Sequence, residues 1–429
     1  MNNAELTALR AGNVPRGVPA TAPVYVARAK NALVTDVEGR EYVDFAAGIG
    51  VMNVGHCHPK VVEAVKAQAD LYSHTCFGLV GYESYLRLAE KLNQHAPGDS
   101  AKRTFFVNSG AEAVENAVKV ARYATGRKSI IAFEDGFHGR TFMTLSLTSQ
   151  VSPYKIGFGP YASDIYRIPY AYCYRCPYGG CYPACGIECV HWIEDTLFRT
   201  TMSPEEVAAI FVEPIQGEGG YVVPPPEFHQ ELRRIAQKWG ILYVADEVQS
   251  GMGRTGKMTA MEHFGVEPDI IALAKGIASG LPLGAMVAES RIMDWEAGSH
   301  ASTFGGNPVS CQAALATIEL LQGELMANAD IQGRRLMEGL KELQKEFECI
   351  GDVRGKGLMV GVELVKDRGT KERAGEWRDG IIGKAFGKGL LLIGCGENTL
   401  RLCPALTVSP EEIDLCLSML AEILKETAG

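Results

Sequence analysis

The chain has 429 residues, of which 46% are hydrophobic and 22% charged, and a net charge of −9. That length predicts two domains, or one large domain with an appendage. The acidic balance contains no basic block, which argues against nucleic acid or an anionic membrane as partner. The opening Met1-Asn2-Asn3-Ala4-Glu5 is too polar for a signal or transit peptide. The uncharged stretch 276–288 is too short for a bilayer and contains Pro282, so a cytoplasmic protein is expected.

Residues 1–30 show no clear period and predict an arm with a short helix. The stretch 33–45 alternates as a hairpin turning at Glu38-Gly39, and 46–55 reads as a loop of small residues around Gly48, Ile49 and Gly50. Pro59 opens a helix with Val61, Val62, Val65 and Ala69 on one face, and a second helix is predicted over 82–94. Residues 103–107 form a strand that turns at Asn108-Ser109-Gly110-Ala111-Glu112 into a helix with Val114, Ala117, Val118 and Ala121 in phase. Ser109 and Glu112 predict a capping box. The same small residues leave the amides of Gly110 and Ala111 open to a phosphate at a helix N-terminus, and on this stretch alone both readings stand.

A strand at 129–133 leads to Gly136-Phe137-His138-Gly139-Arg140. Phe137 can pack on a ring or simply in the core, and Arg140 can grip a carboxylate in a fork or form a surface ion pair. The strand 208–212 ends at Glu213-Pro214-Ile215-Gln216-Gly217-Glu218-Gly219-Gly220, and a helix over 227–239 completes a β-α-β unit.

Two apolar runs come next. One, 241–245, ends in Asp246-Glu247-Val248-Gln249; the other, 269–274, delivers Lys275. Neighbouring strands would thus present an acid and a lysine at their carboxyl ends, where open α/β sheets bind ligands. A lysine after five apolar residues is costly to bury unless paired or covalently used. An aspartate for a pyridine nitrogen and a lysine for a Schiff base are what pyridoxal phosphate requires. Gly251-Met252-Gly253-Arg254-Thr255-Gly256 mimics a dinucleotide motif and nearly a P-loop. However, Met258 replaces the magnesium-holding hydroxyl, the helical pattern that should come after it is poor, and Asp246 and Glu247 would repel phosphates. A solvated glycine loop is expected there.

A strand at 284–288 and the loop Ser302-Thr303-Phe304-Gly305-Gly306-Asn307-Pro308 precede a helix over 309–322, and the Thr303 hydroxyl could complete a phosphate site. Beyond residue 327 the texture changes. Helices at 328–347 and 374–388 flank a strand at 358–364, with short strands at 390–393 and 400–402 and a final helix at 410–425. Arg401 faces out of one of these strands. The expected division is an arm and hairpin over 1–55, a large α/β domain over 56–325, and a smaller α+β domain over 326–429.

Together these stretches resemble the class III (ω-amino acid) aminotransferases of fold type I. The match covers nearly the whole chain outside 163–190 and rests on ordered motifs, from Asn108-Ser109-Gly110 through Phe137-His138-Gly139-Arg140 and Ala245-Asp246-Glu247 to Ala274-Lys275 and Thr303-Phe304-Gly305. Within the class the likeness is greatest to the 4-aminobutyrate aminotransferases, then to those for acetylornithine and ornithine. The resemblance implies a large domain with a mixed, mostly parallel sheet, a homodimer or higher homo-oligomer, and pyridoxal 5'-phosphate as cofactor. Lys275 would form the Schiff base and move the proton, and Asp246 would bond the pyridine nitrogen. Val248 and Phe137 would sandwich the ring, and Gln249 would bond its phenolic oxygen. Ser109, Gly110, Ala111 and a partner's Thr303 would hold the phosphate, with His138 and Glu213 nearby. Many relatives carry a hydroxyl where this chain has Ala111, which shifts weight to backbone amides. For substrates, Ile49 would line the pocket and Arg140 would take the distal carboxylate. Arg401 would take the α-carboxylate of 2-oxoglutarate and be neutralised by Glu218 when an ω-amine is bound.

Five of the twelve cysteines, Cys173, Cys176, Cys181, Cys185 and Cys189, crowd the insert 163–190. Their spacing resembles metal ligation, and disulfides are the other sharp alternative. No histidine motif accompanies them, so buried free thiols and no metal are expected. The remaining seven read as small buried hydrophobes. The resemblance implies a reaction that moves an amino group from an ω-amino acid, foremost 4-aminobutyrate, to 2-oxoglutarate. Ornithine or acetylornithine transamination and amino-acid racemisation or epimerisation are the alternatives.

Overall fold

The computed structural model describes residues 1–428. Its centre is a seven-stranded sheet in the order Lys102–Val107, Gly284–Glu289, Ile270–Leu273, Leu242–Asp246, Val207–Val212, Ser129–Phe133, Ile165–Ile168. Only Gly284–Glu289 runs against its neighbours; the other pairs are parallel. The fold is α/β, with a mixed, mostly parallel sheet between helices. Side chains alternate between faces along each strand. Ala209, Phe211 and Val244 pack with Ala113, Val114, Ala117 and Val118 of the helix Gly110–Thr125. Ile210, Val212 and Tyr243 pack on the other face with Phe228, Leu232 and Ile235 of the helix Pro226–Trp239. Both faces are covered, which is why these strands read as continuous apolar runs.

The strand Ile165–Ile168 is the edge of this sheet. Residues 165–168 of the supposed insert therefore belong to the central architecture, and the irregular segment starts after them. At the other end, the helix Pro308–Leu320 continues through a π turn, Leu321–Leu325, into Met326–Glu346. The change of texture near residue 327 thus falls inside one helical run. A second, antiparallel sheet comprises Ile350–Lys356, Met359–Asp367, Thr399–Leu402 and Ile393–Cys395, with Glu372–Arg373 also paired to Met359–Asp367 and Arg401 opposite Gly361. The expected hairpin is present, with Leu33 opposite Val43, and its second strand pairs with Leu390–Leu391. On the helix Pro59–Leu71, Val61 and Gln68 are buried whereas Ala69 is exposed, so the buried stripe lies slightly off the expected one. Among the described residues no helix is long and apolar enough to cross a membrane.

Candidate active site

The parallel strands end at one edge, and a cleft of about 350 Å³ opens there. Asp246, the last residue of its strand, and Lys275, two residues beyond Leu273, both line it. Asp246 is buried; its Oδ2 lies 2.7 Å from Nδ1 of His138, and its Oδ1 accepts the Val248 amide at 3.1 Å. Burial alone would lower the His138 pKa, but the hydrogen bond and charge of Asp246 outweigh it and leave the imidazole raised. Beneath them Glu213 accepts the amides of Phe137 and Gly217, each at 2.9 Å, and burial pushes its carboxyl up to about 7.

Lys275 has φ of +46°, a left-handed conformation uncommon for a residue with a side chain. The next residue must be small, because a Cβ on Gly276 would sit 2.3 Å from the Asn53 amide nitrogen. Burial holds the Lys275 amine below its ordinary range, partly offset by Asp246. Among the described residues it makes no hydrogen bond or ion pair.

The helix Gly110–Thr125 also begins at the cleft. Ser109 Oγ caps it by accepting the Glu112 amide at 3.2 Å. The predicted capping box is displaced by one residue: the Glu112 carboxylate accepts the amide of Asn108 at 2.6 Å. The amides of Gly110 and Ala111 have no acceptor among the described residues and face the cleft at the positive end of the helix dipole. A Cβ on Gly110 would stand 2.8 Å from Cγ1 of Val248 and fill this cradle. Open amides, an amine and a braced carboxylate around one cleft fit pyridoxal phosphate.

Two arginines flank the site. Arg401 is 4% exposed; its Nη2 lies 3.1 Å from Glu218 Oε2, and its Nη1 donates to Gln249 Oε1 at 3.4 Å. Arg140 is exposed, makes no ion pair among the described residues, and covers the Tyr154 ring at 4.4 Å. Phe137, Val248 and Gln249 all line the cleft.

Several expectations meet a different structure. Ile49 does not line the cleft within this chain: it sits on a turn with φ of +66° and is half-exposed, whereas Val51, two residues on, reaches in. Thr303, by contrast, is expected to act on a partner's site, and in its own chain it is exposed and lies outside the cleft. The glycine loop after Gln249 is not solvated. Residues 251–255 are buried, and Arg254 donates to Leu358 O and Asn53 Oδ1, at 3.1 and 2.6 Å. Buried thiols fail for four of the five clustered cysteines, because the segment lies at the surface. Cys173 and Cys181 are exposed, Cys176 and Cys185 half-buried, and only Cys189 is buried. All five are free thiols, and no group of three metal-ligating side chains gathers among the described residues. Cys57 is exposed and Cys76 half-buried, against the expectation for the isolated cysteines.

Sequence reasoning misses Tyr154 and Tyr221. Tyr221 donates to Gln249 Oε1 at 2.8 Å, and Tyr154 donates to Glu218 Oε1 at 2.8 Å. Neither lies in a periodic segment or a motif with its own chemistry.

Residues 14–424 match the model of the class-III aminotransferase family. The chain is 44% identical to a 4-aminobutyrate aminotransferase of Escherichia coli, over 99% of both chains. It is equally identical, at 44% over 99% of each, to a 5-aminovalerate aminotransferase of Pseudomonas putida. The solved structure of an ω-transaminase from Thermomicrobium roseum superposes with a TM-score of 0.93 at 31% identity over the whole of both chains. The cleft, its lysine and aspartate, and these likenesses agree, and the chain belongs to the class III aminotransferases.

Proposed function

We propose that this cleft transfers the amino group of an ω-amino acid to 2-oxoglutarate, with 4-aminobutyrate or its one-carbon-longer homologue 5-aminovalerate as donor. The observation that carries the reading is the Arg401–Glu218 pair at 3.1 Å beside the cleft that holds Lys275. An ω-amino acid brings no carboxylate next to its reacting carbon, and a bare buried arginine there would be an uncompensated charge. Glu218 compensates it. When 2-oxoglutarate enters, its α-carboxylate displaces Glu218 and takes the guanidinium, while Arg140 receives the distal carboxylate of either substrate. A dedicated α-amino donor would have no use for a carboxylate parked on Arg401.

Pyridoxal phosphate, when bound, supplies the aldehyde that receives the amine and a ring that accepts the electron pair left when a C–H bond breaks. The amides of Gly110 and Ala111, with Ser109, would hold its phosphate, and Phe137 and Val248 its ring faces. Asp246, oriented by His138, would keep a proton on the ring nitrogen. Lys275, its amine made less basic by burial, would take the proton from the substrate carbon and return it elsewhere. Gln249 would bond the phenolic oxygen, and Glu213 fixes the backbone of the Phe137 loop. Thr303 would serve a site only across an interface between two copies, which supports a homodimer.

Transamination has the support of the relatives, and racemisation gains none. A screen of amino donors, each mixed alone with the cofactor-loaded enzyme and monitored by cofactor absorbance, tests the reading. Conversion by 4-aminobutyrate or 5-aminovalerate is expected; reaction with α-amino acids alone would contradict it.

A further inference from the structure

Tyr154 touches both ends of the substrate machinery. Its hydroxyl donates to Glu218 Oε1 at 2.8 Å while the other carboxylate oxygen meets Arg401 at 3.1 Å. Its ring carries the Arg140 guanidinium at 4.4 Å and meets the Phe137 ring edge-on at 5.4 Å. Burial and the Glu218 charge push this hydroxyl up to about 12, so it remains a donor throughout the working range.

Glu218 is therefore held by one partner on each oxygen. To leave Arg401 it must break an ion pair, and the Tyr154 bond opposes any rotation of the carboxylate. We propose that Tyr154 is a positioning residue that latches Glu218 over Arg401 and so biases the resting cleft toward the ω-amino donor. The inference rests on the Arg401–Glu218 exchange described above and adds a residue that sets its balance. Removing only the hydroxyl, as in Tyr154→Phe, keeps the ring beneath Arg140 and the edge against Phe137. It frees Glu218 to swing away, so Arg401 stands open more often. A hydrogen bond to a charged group is worth about tenfold or more in an equilibrium.

The test uses the holoenzyme and reads each half-reaction separately by cofactor absorbance, with 4-aminobutyrate as donor and 2-oxoglutarate as acceptor. Tyr154→Phe is expected to slow the donor half by about tenfold and, at saturating 2-oxoglutarate, to leave the acceptor half within about twofold. Glutarate, which has two carboxylates and no reactive carbon, is expected to bind several-fold more tightly. In a Glu218→Ala background the same substitution should have no further effect, whereas a merely structural tyrosine would still matter there. Equal slowing of both halves, or an undiminished effect in the Glu218→Ala background, overturns the latch. If Tyr154→Phe changes nothing while Arg401→Ala selectively disables 2-oxoglutarate, the latch falls and the exchange survives. If Arg401→Ala itself shows no selectivity, both fall.

Discussion

Nδ1 of His138 lies 2.7 Å from Oδ2 of Asp246, and both side chains are buried. The imidazole fixes where the carboxylate points, because the other oxygen is already taken by the Val248 amide. His138→Leu would leave Asp246 buried with that one donor. Loss of a bond to a charged partner costs about 1.5–3 kcal/mol. Turnover is expected to fall by roughly 10- to 100-fold, with weaker retention of pyridoxal phosphate on dialysis. Unchanged rate and retention would show that Asp246 needs no such brace.

Arg401→Ala separates the two substrates. Truncating one partner of a desolvated charge pair costs about 2–5 kcal/mol, so the 2-oxoglutarate half-reaction should lose at least about 30-fold. The 4-aminobutyrate half-reaction, which has no carboxylate for this arginine, should lose far less. Single-turnover rates measured for each half decide it, and equal losses would reject the exchange.

Gly110→Ala tests the cradle. The added methyl would meet Val248 at 2.8 and 3.1 Å, on a side chain that is itself proposed to pack on the cofactor ring. Overpacking of this kind costs the folded state about 1–3 kcal/mol, and any shift of Val248 that relieves it disturbs the ring site as well. Titration of the cofactor-free protein with pyridoxal phosphate is expected to show affinity weakened about tenfold or more, with a denaturation midpoint lowered by no more than that cost; unchanged affinity would contradict the cradle.

Glu247 gives a pH signature independent of catalysis. It is fully buried, accepts from Ser250 Oγ at 2.6 Å and from the Met261 amide at 2.9 Å, and burial raises its carboxyl from 4.5 to about 7. The folded state therefore keeps its proton to higher pH than the unfolded chain. Its contribution to stability is full below about pH 4.5 and is lost as pH rises through about 7. Relative to Glu247→Gln, the parent should lose roughly 2–4 kcal/mol across that window, read from denaturant midpoints of the cofactor-free protein. A constant difference between the two proteins would contradict the raised carboxyl.

Periodicity decides how much of this is legible in the sequence. The helix at Gly110 and the strands ending at Asp246 and Leu273 announce themselves by phase and by the chemistry of the residues at their ends. Ile165–Ile168 does not, since four residues containing Arg167 carry too little alternation to mark a strand. Arg254 misleads for a different reason. Glycines on both sides imply exposure, but its carbonyl acceptor at Leu358 and its amide partner Asn53 lie far away in the chain and become visible only after folding. Tyr154 shares this difficulty, because its partners Glu218 and Arg140 are brought to it by tertiary geometry rather than local pattern.

All of the proposed chemistry requires that one particular amine carry the cofactor. Protein loaded with pyridoxal phosphate, reduced with borohydride, digested and mapped by mass spectrometry, should carry one pyridoxyl adduct, on the peptide containing Lys275. An adduct on another lysine, or a Lys275→Ala protein labelled as fully as the parent, would contradict it.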